Sequence, residues 1–313
     1  MPLFPQLRTS VFSDPRHYQI TVLASLLVYG VLALDFEIAA GRAAAIVVTA
    51  LVTQFACTRL WALERFDPRS ALISGLSLCL LLRANSIALA LAAAVIAVVS
   101  KFIIQVKHKH LFNPTNIAIV SLMAFTGQVW VSPGQWGNVA FFAFLMACLG
   151  GLVVNRAKRS DVTYAFIAFY MALVFGRSIW LAEPLTIPVH RLQNGALLLF
   201  TFFMISDPRT TPNSRIGRII FAFLVAFGAW YIQFRLFRTN GPLWSLAICS
   251  LTVPLLDWLL PANRYEWRQR TCGVKAVQVM YETISTVARR VDDRRRLAQP
   301  GASRLLRLLR GQG

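Results

Sequence analysis

The few residues in this chain whose types could do chemistry stand mostly at breaks between apolar runs. Ser206-Asp207-Pro208-Arg209-Thr210-Thr211 sets a carboxylate, a guanidinium and three hydroxyls in six positions. Asp207 closes a short apolar run, and an acid at a helix C-terminus opposes the macrodipole, so it needs a local partner. Its structural role is a turn, Asp-Pro followed by threonines whose hydroxyls bond nearby backbone. Its functional role is a charge beside a pathway, and a turn bordering that pathway satisfies both. Asn113-Pro114-Thr115 reads as a helix start, with Asn as cap and Pro as first helical residue. Arg83, in Arg83-Ala84-Asn85, stands between two apolar runs. It is either a loop arginine or a charge facing protein or water.

Other chemistries find no footing. His17, His108, His110 and His190 supply no pair facing each other at depth, which excludes a b-type haem. Lys107-His108-Lys109-His110 reads as a basic, headgroup-facing loop, not as a metal site. Cys57, Cys79, Cys148, Cys249 and Cys272 form no CxxC pair, so they read as small thiols and not as a disulfide framework or zinc site. With no phosphate-cradling glycine loop, nucleophile elbow or carboxylate pair, the sequence offers no catalytic residues for a hydrolase or transferase.

These residues are carried by an unusually apolar chain. Of 313 residues, 57% are hydrophobic and 14% charged, where a soluble domain carries about a quarter charged. Apolar runs fall at 20–36, 43–61, 71–82, 87–105, 114–131, 138–154, 162–181, 193–206, 217–234 and 241–260. This pattern predicts an all-α membrane protein of about ten transmembrane helices. The third and eighth runs are too short to cross about 30 Å of hydrocarbon at about 1.5 Å per residue. The first run is long enough to span and follows a polar, proline-rich start, so no cleavable signal peptide is expected. Asp35, Arg177 and Asp257 lie near run ends, where they snorkel or pair.

The net charge of +19 would imply nucleic acid in a soluble protein. Here 26 of the 32 Lys and Arg fall on one side of the alternating loops and in the tail, leaving Arg42, Arg83, Arg177, Arg191, Arg235 and Arg238 on the other. That asymmetry implies an even number of crossings with both ends cytoplasmic, in the cell's inner membrane, and no nucleic-acid partner. Domain bounds follow: a cytoplasmic N-terminus at 1–19, a transmembrane domain at 20–261 and a basic tail at 262–313. In the tail, Val274, Val277, Met280, Ile284, Val287 and Val291 recur at helical spacing ahead of an arginine cluster, and Ser303–Arg310 is basic and amphipathic. It is either a solvated tail or a helix lying on anionic lipid or docking a partner.

The halves 20–131 and 138–260 look related. Short runs open after Arg69-Ser70 and after Gln193-Asn194, and both end in polar breaks. Asn113-Pro114 and Asn240-Gly241-Pro242 open the fifth and tenth runs. Five helices per copy would invert the second copy in the membrane. Broken segments at matched positions of two halves point to a binding site or pathway. The pathway candidates are Ser74, Ser77, Arg83, Asn113, Pro114, Thr115, Thr201, Asp207, Pro208 and Thr210, with the two short helices expected to meet and line it.

Three stretches carry a family resemblance. They are Ser70-Ala71-Leu72-Ile73-Ser74-Gly75-Leu76; Leu111-Phe112-Asn113-Pro114-Thr115-Asn116; and Asn194-Gly195-Ala196 with Phe203-Met204-Ile205-Ser206-Asp207-Pro208-Arg209-Thr210-Thr211-Pro212 and Gly217-Arg218. Through them the chain resembles the NqrB/RnfD family. Its members are membrane subunits of the sodium-pumping NADH:quinone oxidoreductase and of the Rnf electron-transport complex. The resemblance implies two inverted five-helix repeats, similar to urea transporters. It also implies association with electron transport and with other redox subunits. The chain departs from the family between the fifth and sixth runs. There the redox-pump members carry an insertion whose threonine bears covalent FMN, and here only Ser132-Pro133-Gly134-Gln135-Trp136-Gly137 intervenes. The chain therefore resembles a shortened branch, some of whose members are labelled enediyne biosynthesis proteins. No covalent FMN is expected, while noncovalent flavin stays open, since aromatic pockets between helices leave no short motif. Two other readings stand beside an electron-transport subunit: a channel or transporter for an ion or small solute, and a membrane component of a biosynthetic system. The charge asymmetry predicts that an export-dependent reporter fused after Gly313 stays silent, and enzymatic activity of that fusion would refute the even count.

Overall fold

The computed structural model describes residues 14–33, 38–63, 65–131 and 149–265, all within one compact unit, Met1–Tyr265. Most of the sixth apolar run, the 132–137 connection, Asp35, Cys148, Cys272 and the tail from 266 lie outside the described residues. Helices dominate: α1 Pro15–Ala33, α2 Ala40–Leu60, α3 Arg69–Leu81, α4 Ile87–Ile103, α5 Pro114–Thr126, α6 Ser160–Trp180, α7 Thr186–Leu192, α8 Gly195–Leu199, α9 Arg215–Phe234, α10 Gly241–Ser250 and α11 Val253–Leu259. Residues 149–156 are also helical, and α8 runs on into a π-turn at Phe200–Met204.

Among the described residues, α2, α6 and α9 are long and apolar enough to cross a membrane; α10 and α11, bent by 50° at their junction, make a fourth if counted as one span. The segments α3, α5 and α8 with its π-turn are shorter, at 13, 13 and 10 residues. Two antiparallel ribbons complete the described fold. β1 (Leu82–Ala84) leaves the end of α3 and pairs with β4 (Val129–Val131), which follows α5. β2 (Gln105–Val106) and β3 (Lys109–His110) form a hairpin between α4 and α5.

Small residues set the packing. Where α2, α3 and α4 meet, Ala50, Ala71, Ala93, Ala94 and Ala97 are fully buried, and Gly75 of α3 lies against the Val47 backbone. In a bilayer, close backbone approach of this kind replaces the hydrophobic drive that lipid removes. The helices sort into two packing groups. One holds α1 to α5, the other α6, α9 and α10, and α5 against α10 joins them. There the fully buried Asn116 of α5 donates from Nδ2 to the Leu243 carbonyl at 3.1 Å. On the outside, Val48, Val52 and Phe55 of α2 and Phe223, Phe227 and Tyr231 of α9 are exposed, the apolar surface expected of helices that face lipid.

In α10, Gly241 is held close to α9: an added Cβ would sit 2.5 Å from the Ala229 carbonyl oxygen. Gly176 of α6 has open space. Gly241→Ala is expected to cost about 1–3 kcal/mol through forced backbone separation, whereas Gly176→Ala should be neutral or slightly stabilising through helix propensity. Thermal unfolding in one detergent compares the two.

Candidate functional site

Of the expected pathway residues, Arg83 and Asp207, Pro208 and Thr210 follow the ends of short helices, Asn113, Pro114 and Thr115 open one, and Ser74, Ser77 and Thr201 lie within them. At the end of α3 the carbonyls must find donors, because a helix leaves its last four unpaired. Arg83 supplies them: its NH1 donates to the carbonyls of Cys79 at 3.2 Å and Leu82 at 2.9 Å, while its backbone lies in β1 opposite Trp130. Arg83 is therefore a buried capping arginine on a strand, where the sequence left a loop or a pathway charge. Arg42 NH1 donates to the Ala84 carbonyl beside it at 3.4 Å. Ser74 and Ser77 are buried on α3, and the Ser74 hydroxyl donates back to the Ser70 carbonyl at 3.0 Å.

The end of α8 is resolved differently. The π-turn accommodates one more residue than an α-turn. The Thr201 carbonyl accepts from Thr163 Oγ1 of α6 at 3.2 Å, while Thr201 Oγ1 donates to Leu197 O at 2.7 Å. Asp207 then forms the turn read from the sequence. Its Oδ1 accepts from Arg209 N at 3.0 Å, and its carbonyl accepts from the hydroxyls of Thr210 and Thr211 at 3.3 and 3.0 Å. Asn113 caps α5 by accepting from Asn116 N at 3.1 Å, with Pro114 in the first turn. Its Nδ2 reaches Met204 O and Asp207 Oδ2, both at 3.4 Å. Asn113, Pro114 and Thr115 thus meet Asp207, Pro208 and Thr210 across the two halves. The two short helices themselves pack elsewhere: α3 on α1, α2, α4 and α5, and the π-turn on α6. It is α5 that touches both. Asn240, the counterpart of Asn113 in sequence, adopts φ +60° and makes no side-chain cap.

Around Asp207 lies a polar layer that the sequence did not announce. Lys101, buried on α4, donates to Ser70 Oγ at 3.1 Å. Arg218 grips Asp161 through Nε and NH2, at 2.8 and 2.5 Å to Oδ2, and donates to Asn213 O at 2.6 Å. Arg159 reaches Thr211 Oγ1 at 3.2 Å and stacks over the Tyr265 ring. The histidine loop is the hairpin turn, with Lys107 and His108 at φ +50° and +61°, the two-residue geometry that closes such ribbons. That turn aims Lys109 and His110 inward, contrary to the headgroup-facing expectation. Lys109 Nζ pairs with Asp257 at 2.6 Å, and His110 Nε2 lies 3.3 Å from Arg209 NH1. Burial first, then the Arg209 charge, pushes the imidazole down to about 3. His110 is therefore neutral and accepts from Arg209, which puts its proton on the buried Nδ1. Burial raises the Asp207 carboxyl above its ordinary range despite Arg209 N–H and the nearby cations.

A second cluster ties the starts of α1 and α3. Arg16 pairs with Asp14 at 2.7 Å and Asp67 at 2.6 Å, and Arg69 pairs with Asp14 at 2.7 Å and Asp67 at 2.8 Å. Cations assigned to one side by the charge count (Arg16, Arg69, Lys101, Lys109, Arg159, Arg209 and Arg218) thus gather where α3, α5, α6 and α9 start and α4 and α11 end. Arg42, Arg83 and Arg177 bind at the opposite helix ends, Arg177 to Glu183 at 2.7 Å.

Apolar helices with lipid-type outer faces, broken short helices and charges confined to their ends define an α-helical membrane protein. Residues 122–266 match the NQR2, RnfD, RnfE family, which bears out the resemblance carried by the Asp207 and Gly217-Arg218 stretches; Ser70–Leu76 and Leu111–Asn116 lie before that match. The chain is similar to proteins named as the D subunit of an ion-translocating oxidoreductase complex. It is 28% identical over 139 residues to that of Pectobacterium carotovorum subsp. carotovorum (strain PC1), 43% of this chain and 37% of the relative. It is 30% identical over 140 residues to that of Erwinia tasmaniensis, again 43% and 37%. For Escherichia coli O7:K1 it is 28% over 156 residues, 48% and 42%. The chain thus spans about two fifths of the length of the curated relatives it matches.

Burial works to raise the Asp67 carboxyl, but the Arg69 hydrogen bond and the Arg16 charge outweigh it and hold it down at about 2. A depressed folded value contributes stability above the unfolded value of about 3.9, which is lost as pH falls through about 2. The unfolding temperature should therefore drop between about pH 4 and pH 2, and Asp67→Asn should lower it at neutral pH while flattening that acid limb.

Proposed function

We propose that the chain is an integral membrane subunit associated with electron transport, acting as scaffold or conduit for a partner that holds the redox cofactor. The observation that carries this is the family match over residues 122–266; the relatives' naming as subunits of an ion-translocating oxidoreductase complex supports it. In this reading about ten helices form two inverted five-helix repeats, 20–131 and 138–260, in the inner membrane. Residues 1–19 and the tail 262–313 are cytoplasmic, and the tail lies on anionic lipid. Two packing groups joined through α5 and α10, and the sorting of arginines to opposite helix ends, support that arrangement.

In this reading the pathway passes the junction of Asn113, Pro114 and Thr115 with Asp207, Pro208 and Thr210, with Asp207 at the cytoplasmic mouth and Arg83 at the outer one. The hydroxyls of Ser74 and Thr201 donate back to their own helices, so toward a ligand they can only accept. Such a lining suits a neutral or weakly polar species, or a bound partner's apolar surface, better than a bare ion. In this reading the chain carries no covalent FMN. No threonine lies between Thr126 and Thr163, and α5 passes through Gly127-Gln128 directly into β4, which is paired to β1. Noncovalent flavin stays open. A second reading, a channel or transporter, draws on the breaks in α3 and α8 at matched positions of the two halves.

Purification from native membranes, followed by visible absorption and a denaturing gel, tests the proposal. The expected result is co-purification with subunits whose flavin or iron–sulfur absorbance accompanies the chain, and no fluorescent band at about the chain's 35.0 kDa. Solute flux through liposomes holding the chain alone, without redox-active partners, would favour the transporter instead.

A further inference from the structure

The polar layer carries more positive charge than its acids absorb. Among the described residues its ion pairs use up Asp14 and Asp67 on Arg16 and Arg69, Asp257 on Lys109, and Asp161 on Arg218. Lys101, Arg159 and Arg209 pair with no carboxylate within ion-pair distance among the described residues, and Asp207 is the acid left in their field; Arg264, at an exposed position, adds a further cation beside them. Burying such a surplus is costly unless an anion completes it.

Part of the surplus reaches the surface. Lys109, Pro208, Arg209, Asn213, Arg264 and Tyr265 line a shallow surface depression. Its cations are positioned, not trailing. Lys109 Nζ is fixed between Asp257 Oδ2 at 2.6 Å and Asn213 Oδ1 at 3.3 Å. Arg209 is held by His110 Nε2. Arg264 donates to the carbonyls of Lys107, at 3.3 Å, and His108, the two residues of the hairpin turn whose backbone is strained. Asn213 and Tyr265 add polar groups to a wall otherwise made by Pro208. Lys109 and Arg209 are both held below their ordinary values, first by burial and then, against Asp257 and Asp207, by neighbouring cations that include Arg264.

We propose that this depression binds a phosphate group, with Arg209 and Arg264 donating to its oxygens beside the Lys109–Asp257 pair. Guanidinium forks match the tetrahedral oxygens of a phosphate and discriminate them from chloride by geometry as well as charge. The phosphate reaches the site either on a soluble phosphorylated molecule or as the headgroup of an anionic phospholipid.

The full chain, purified in neutral detergent, is titrated with inorganic phosphate, with chloride at matched ionic strength, and with short-chain phosphatidylglycerol or phosphatidylcholine, reading the unfolding temperature. Phosphate, phosphatidylglycerol or both should raise it, saturably, where chloride and phosphatidylcholine do not. Arg264→Gln, at an exposed position, should weaken the apparent affinity by about tenfold, the loss of one charge-assisted contact; Arg209→Gln should do the same if it folds. A response to free phosphate identifies a soluble ligand, and a response to phosphatidylglycerol alone identifies a headgroup. No saturable shift with either, or a shift that Arg264→Gln leaves unchanged, overturns the proposal.

Discussion

A helix that stops inside an apolar layer must hand its last carbonyls to something other than water. Each unpaired group there costs several kcal/mol, and the described fold is organised around meeting that demand. Where α3 ends, the Arg83 guanidinium and the β1–β4 ribbon take the carbonyls and the following amides. Where α8 ends, a π-turn, a hydroxyl from α6 and the Asp207 turn do so. Where α5 begins, Asn113 covers an amide with its carbonyl oxygen and spends its amino group on the end of α8. The three devices differ chemically, yet each sits where a short helix ends or begins.

This explains why the polar residues of the sequence read as they do. Asn113-Pro114 and Asp207-Pro208 were legible because capping and turn chemistry are local: the donor and acceptor lie within four residues of each other. The short runs were legible from length alone. By contrast, Lys109 with Asp257 and Arg218 with Asp161 join residues 148 and 57 positions apart, and no periodicity relates them. The β1–β4 ribbon escaped notice because three residues between helices carry no alternation that a sequence pattern could display. The inward turn of His110 escaped for another reason. A basic run reads as solvated until a partner is known, and the partner here, Arg209, is itself basic.

Buried and part-buried polar bonds join the two packing groups. Asn116 to the Leu243 carbonyl and Asn113 to Met204 and Asp207 bridge them, and Asn116 keeps one buried carbonyl oxygen without a hydrogen-bond partner among the described residues. α5 is therefore the element through which a change at the Asp207 turn would be felt at α10.

The π-turn at Phe200–Met204 has a consequence for how the sequence can vary. Such a turn is geometrically equivalent to one residue inserted into an α-helix. Deleting one residue there would restore regular winding and keep the phase of everything beyond it, whereas rewinding all five residues as α-helix would rotate everything beyond them by about 100°. Asp207 would then swing off Asn113, and Thr201 would reclaim its carbonyl from Thr163. What sets the phase is that Phe200–Met204 stays π-wound with all its residues present. The winding there is as much a part of the site as the identity of Asp207.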